Sequence, residues 1–324
     1  MINRVQLIKE MKKALDLPES SMFDTVPLWP LTASEILDPN GFDLKLGRQS
    51  FHFNLRNNPK LSEQISKVEV IPSKVRNEVI TVIAEEKKML ARKLAAEARG
   101  EFTVNGVTFK MIRVDGGIFL MGSTSGEADE EPVHEVRVKS FSIGQTEVTQ
   151  ELWEAVMGNN PSLIKGKKNP VEQVSWDDCQ MFIQKLNKLT GRKFRLPTEA
   201  EWEFAARGGT QSKGYTYSGS NKIEDVAWYV GNSDKITYEV ASKYPNELGI
   251  YDMSGNVWEW CQDWYARDYY SYCVAINPTG PSSGYLRVNR GGSRGSYASG
   301  CRVSSRSGNP HEFEYNYVGF RLAL

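Results

Sequence analysis

The side chains in this chain that could do chemistry are few, and their spacing limits what they can do. Cys179, Cys261, Cys273 and Cys301 form no CxxC pair and lie far apart, which excludes a local zinc knuckle. They are free either to stay reduced or to pair in space. Glu259 falls close in sequence to Asp252, Gly255 and Asn256, and a turn offering carbonyls beside two carboxylates can bind calcium; a capped turn is the other reading. Glu127, Asp129, Glu130 and Glu131 make an acidic run, and such runs repel and stay in water, so a solvated loop is expected. The segment 287–324 contains no lysine, aspartate or tryptophan. It is rich in serine, glycine, tyrosine, asparagine and arginine, a composition suited to recognition: tyrosine gives rigid contact area, serine and asparagine adaptable hydrogen bonds, glycine backbone freedom.

These residues need elements to hold them. A chain of 324 residues suggests two domains with ample sequence for a core. Lysine plus arginine equals aspartate plus glutamate at 40 each, so no basic face is available for nucleic acid or anionic lipid. No apolar run approaches the ~20 residues that span a bilayer, and charges interrupt every apolar cluster near Met1. The expectation is a cytoplasmic location, with surface display open only if the natural chain begins further upstream.

Residues 1–100 read as a smaller, mainly helical region of unassigned role. Val5, Leu7, Ile8, Met11 and Leu15 predict a short helix, and Ser21 to Leu61, proline-interrupted with scattered aromatics, reads as irregular or short-stranded. Val75, Val79, Val82, Ile83, Met89, Leu90 and Leu94 recur at helical spacing. Gly100 marks a boundary because strands follow at once: Asn105-Gly106 between alternating runs is a hairpin signal. Helices are predicted from Glu147 to Met157, after Ser175 with Asp178, and after Thr198 with Glu201, the last two with capping-box spacing. Trp258, Trp260 and Trp264 keep even spacing, as on one face of a strand.

The motifs Gly116–Ser123, Glu147–Thr149, Pro170–Trp176, Arg195–Glu203, Gly255–Trp260, Arg290–Ser293 and Gly319–Arg321 together resemble the formylglycine-generating-enzyme, or sulfatase-modifying factor, domain family. The resemblance covers 101–324 and implies an α+β domain on a C-type-lectin-like core with much irregular structure. Some calcium-binding members use the segment around Gly255–Trp260, which implies the Asp252 and Glu259 side chains with the Gly255 and Val257 carbonyls as ligands. The family's enzymes oxidise a substrate cysteine on copper held by two cysteines five positions apart. Here the later position is Cys301 but the earlier is Ser296. A hydroxyl cannot replace a soft thiolate on copper(I), so catalysis and a required cofactor are not expected. His52, His134 and His311 lie in separate contexts, which argues against an iron site. Cys301 is either a buried thiol or a partner of Cys261.

The final segment also resembles the variable region of retroelement-diversified proteins built on the same lectin-like fold. There, mutagenised asparagine codons yield residues such as serine, tyrosine, glycine, histidine, phenylalanine and asparagine. Ser296, Tyr297, Ser299, Gly300, Ser305, Ser307, Gly308, Asn309, His311, Phe313, Tyr315, Asn316 and Tyr317 all fall in that set, whereas Glu312 and Glu314 do not. The sequence therefore leads to a non-catalytic protein that displays segment 287–324 toward a protein or glycan ligand. An enzyme of the family, or an assembly protein acting through its N-terminal helices, are the alternatives.

Overall fold

The computed structural model describes residues 42–46, 49–53 and 88–324. It divides into two units, Met1–Ala98 and Arg99–Leu324. In the first, β1 (Phe42–Leu46) and β2 (Gln49–Phe53) pair antiparallel, and residues 88–98 are helical. This hairpin lies within the stretch expected to be irregular or short-stranded. The helix expected over Val5 to Leu15 and the start of the one expected from Ser73 lie outside the described residues.

The second unit opens with β3 (Glu101–Val104) and β4 (Val107–Val114), joined at Asn105-Gly106. Both turn residues take positive φ, 47° and 85°, as a tight two-residue hairpin requires. Next come β5 (Gly117–Met121), β6 (His134–Val138) and β7 (Phe141–Gly144); β7 adds to β4 and β5 pairs with β6. Three helices follow, each started by the hydroxyl the sequence offers: α1 (Gln150–Met157) by Thr149, α2 (Trp176–Thr190) by Ser175, and α3 (Glu199–Ala206) by Thr198. Asp178 and Glu201 close the two expected capping boxes. The short α4 (Ile223–Val226) precedes a long stretch of turns.

A four-stranded sheet holds the C-terminal half in the order β10 (Arg306–Pro310), β9 (Leu286–Arg290), β8 (Trp258–Trp264), β11 (Val318–Gly319), with β11 parallel to β8. Two apolar clusters flank it. One contains Trp153, Phe182, Phe320 and Trp260, with Trp153 and Phe182 stacked at 5.2 Å. The other contains Trp202, Phe204, Val288 and Cys261. β8 is therefore covered on both sides: Trp260 is fully buried on one face and Glu259 on the other. The single aromatic face expected of this strand is broken, because the pairing register shifts between Trp260 and Trp264.

The acidic run corrects its expectation more sharply. Asp129 and Glu130 are buried, not solvated. Arg302 holds Glu130 through two bonds of 2.6 and 2.8 Å, and the Tyr265 hydroxyl donates to Asp129 at 2.7 Å. Specific cationic and hydroxyl partners offset the cost of taking these carboxylates out of water.

Candidate functional site

Segment 287–324 is bracketed by β9 and β11, and between them its arginines turn inward. Arg290 is fully buried, pairs with Glu203 of α3, and donates to the Ser304 and Ser305 carbonyls at 2.8 and 2.5 Å. Arg306 grips Glu199 with two 2.8 Å bonds. Arg321 grips Glu259 at 2.6 and 2.7 Å, and the Trp202 indole donates to the same carboxylate at 2.8 Å. Burial works against the charge on Glu203, but Arg207 and Arg290 outweigh it and keep this carboxyl below its usual range. Paired, bidentate arginines of this kind fix where the loops between them start and stop.

The loops carry the candidate ligand residues to different depths. Tyr297 and Phe313 are 77% and 53% exposed, and Ser299 and Asn316 are also exposed. Ser296, Gly300, Ser307, Gly308, Asn309, His311, Tyr315 and Tyr317 are half-buried. Two candidates do not suit a variable surface. Ser305 is buried, and its carbonyl is spent on Arg290. Gly308 lies under Tyr265, where an added Cβ would stand 2.6 Å from the ring, so only glycine fits without movement.

Ser296, Asn316 and Tyr317 meet at one open pocket of about 520 Å³, lined also by Lys235, Trp258 and Arg294. Gly300 sits beside it, with the Ser296 Cβ at 3.5 Å and the Trp258 ring at 4.0 Å from a built Cβ. His311 is apart from the pocket, 3.0 Å from the Asp177 carboxylate and edge-on to Trp264, so the candidates do not form one patch. Tyr315 and Tyr317 pack on each other and against the Trp153 core, which gives them a structural as well as a contact role.

At the expected catalytic positions, the Ser296 hydroxyl accepts from the Ser293 backbone N–H at 3.0 Å. Cys301 is fully buried, and that burial pushes its thiol up to about 12, far from a thiolate. All four cysteines are free. Cys261 belongs to the Trp202 core while Cys301 packs with Ile223 and Ala227, so of the two open readings the buried thiol is the one found. Among the described residues, no three histidine, cysteine or acidic side chains cluster as metal ligands.

The sulfatase-modifying factor enzyme 1-like domain matches residues 98–324. The chain belongs to this family. Its fold is that of the family's solved structures: Treponema denticola variable protein 1 is similar with a TM-score of 0.64 and 35% identity, over 69% of this chain and 97% of that one. PvdO from Pseudomonas aeruginosa is similar with a TM-score of 0.60 and 26% identity, over 69% and 97%. Among sequences, a formylglycine-generating enzyme of Streptomyces coelicolor is 32% identical over 65% of this chain and 88% of its own length. A protein of Paenibacillus barcinonensis named chaperone protein LppX is also 32% identical, over 69% and 90%. The α+β, C-type-lectin-like architecture expected from the sequence is thus the family's, and the family contains enzymes.

The family's calcium segment fits the ion poorly as arranged here. Both Glu259 oxygens are engaged by Arg321 and Trp202, and Asp252 Oδ2 accepts from the Ala241 N–H at 2.7 Å. Calcium asks for six to eight oxygens, and here it would compete with a guanidinium for one of its two carboxylates. What the segment has instead is an excess of buried acid. Glu147 lies beside Asp252 with neither carboxyl oxygen hydrogen-bonded, and burial raises its pKa well above the ordinary value. Burial likewise pushes Asp252 up to about 6. Burial and the repulsion between the two acids thus both favour the neutral form here.

Sequence reasoning named Ser296, Asn316 and Tyr317 among its candidates without singling them out as a group, and did not include Lys235 or Trp258, which line the same pocket. No local signal joins Lys235, on a turn some sixty residues upstream, to this site. Arg294 directly follows the Arg290–Ser293 motif on which the family resemblance partly rests.

Proposed function

We propose that the chain is a non-catalytic, ligand-binding member of its family, presenting the loops of segment 287–324 to a protein or glycan. The observation that carries this reading is the pocket at which Ser296, Asn316 and Tyr317 converge where the family's enzymes need a second thiol. Ser296 there leaves copper(I) one soft ligand short, and the other candidate ligand, Cys301, is buried and protonated at neutral pH. The exposed Tyr297 and Phe313 supply rigid contact area, with His311, Tyr315 and Tyr317 as further anchors. The similarity to a variable protein supports the same reading, and a near-copy of the final coding segment beside a reverse transcriptase would extend it to true diversification.

No cofactor is needed on this reading; calcium at Asp252, Gly255, Val257 and Glu259 is a separate proposal that requires Arg321 to give up Glu259, checked by whether a chelator lowers the melting temperature. Nor does the reading involve nucleic acid. Among the described residues no helix is long and apolar enough to cross a membrane.

The test is a glycan and peptide array probed with the full chain and with a Tyr297→Ala, Phe313→Ala variant. Loss of the wild-type signals with an unchanged melting curve is the expected result; equal signals from both would refute a displayed surface. The similarity to formylglycine-generating enzymes favours one rival, a copper-dependent oxidase. Oxygen-dependent turnover of a cysteine peptide after copper loading would establish it. A third reading, assembly through the N-terminal region, predicts that deleting residues 1–98 abolishes array binding.

A further inference from the structure

Unlike Arg290, Arg302, Arg306 and Arg321, Arg294 forms no ion pair among the described residues. It is only 6% exposed and lines the pocket, and its Nε donates to the Lys235 carbonyl at 2.8 Å. Its Nη1 has no hydrogen-bond partner among the described residues. The nearest acidic influence is Glu172, which exerts an electrostatic pull but forms no ion pair with it, and one Glu172 oxygen is itself unpartnered. A buried guanidinium nitrogen without an acceptor is costly, so such groups are usually satisfied by something, and a carboxylate entering the pocket that Arg294 lines would bring acceptors to this guanidinium. Lys235 lines the same pocket, Trp258 and Tyr317 wall it, and Ser296 and Asn316 supply neutral hydrogen-bonding groups.

Resting on the binding reading above, we propose that Arg294 is a fixed anchor for a carboxylate of the target, an aspartate or glutamate side chain on an acidic protein segment. One free guanidinium nitrogen and one ammonium match a planar monoanion; a polysulfated chain would ask for a larger cationic cluster. Trp258 and Lys235 lie outside segment 287–324 and Arg294 is not among the candidate variable positions, whereas Ser296, Asn316 and Tyr317 are. The pocket therefore pairs a constant charge contact at its base with a rim whose chemistry can change. The constant contact would orient any acidic target, and the rim would choose between targets.

Wild-type full-length chain is titrated with tetraglutamate and, separately, tetraglutamine, following tryptophan fluorescence and heat. Tetraglutamate binds, tetraglutamine does not, and added salt weakens the binding. Arg294→Gln weakens it on the order of tenfold or more, the equivalent of one charge-assisted hydrogen bond. Lys235→Gln has a smaller effect. Equal affinity of the wild-type chain for the two peptides overturns the proposal, and this arm stands even where Arg294→Gln does not fold. So does loss of binding in Lys235→Gln but not in a folded Arg294→Gln. Binding of a heparin tetrasaccharide without binding of tetraglutamate overturns it in favour of a sulfated glycan. If both peptides fail while array signals still depend on Tyr297 and Phe313, the anchor falls and the binding reading stands.

Discussion

Arg290 and Arg294 are four residues apart and both buried, yet one is knit into the protein and the other is left open. Arg290 has Glu203 and three backbone carbonyls around its guanidinium, contributed by α3 and by the chain just before β10. Arg294 has one carbonyl and no ion pair, and it lines a pocket. The same contrast divides the whole segment: Arg290, Arg302, Arg306 and Arg321 tie it to Glu203, Glu130, Glu199 and Glu259, while Tyr297, Phe313 and Asn316 between those ties face solvent. Stability and recognition thus rest on interleaved residues of one stretch, and substitutions should separate them.

The largest effect is expected at the closed arginine. Arg290→Met leaves Glu203 buried with one cation fewer and should cost about 3–5 kcal/mol in urea unfolding. A cost below ~1 kcal/mol would mean that the ion pairs do not hold the scaffold. The second comparison sets two glycines side by side. Gly308→Ser forces its Cβ into Tyr265 and should cost about 1–3 kcal/mol, whereas Gly300→Ser meets only ordinary contacts and should stay within roughly 0.5 kcal/mol. Equal costs would erase the line drawn between fixed and free positions.

The smallest effect lies in the pH dependence of the buried acids. A carboxyl whose pKa folding raises adds stability that is fully present below its unfolded value, 3.8 for Asp252, and is lost as pH rises through about 6. Asp252→Asn should flatten that fall and raise stability at pH 7 on the order of 1 kcal/mol. The gain stays below the full pKa difference because Glu147 takes up charge once its neighbour is neutral. Asn suits the site, since residue 252 has φ 57°. Unchanged curvature in melting temperature against pH would show that the proton is not held there.

What could be read from the sequence was what is local. Ser175 with Asp178 and Thr198 with Glu201 announce helix starts within four residues, and the structure has both boxes. Asn105-Gly106 likewise specifies its turn unaided. The pairs that define the site are not local: Arg321 meets Glu259 across 62 positions and Arg302 meets Glu130 across 172. No periodicity encodes such partners, so Glu130 read as a solvated charge and the Arg321 partner of Glu259 was not legible. Composition marked Gly300 and Gly308 alike because it cannot see that one lies beneath an aromatic ring.

The bracketing of the segment by β9 and β11 bears on length as well as on side chains. With both ends fixed in a sheet, doubling a span between them costs only about 0.6 kcal/mol in chain entropy. Insertions near Tyr297 or Phe313 therefore offer a second, inexpensive way to reshape what this surface grips, by lengthening the arcs and leaving the anchors where they are.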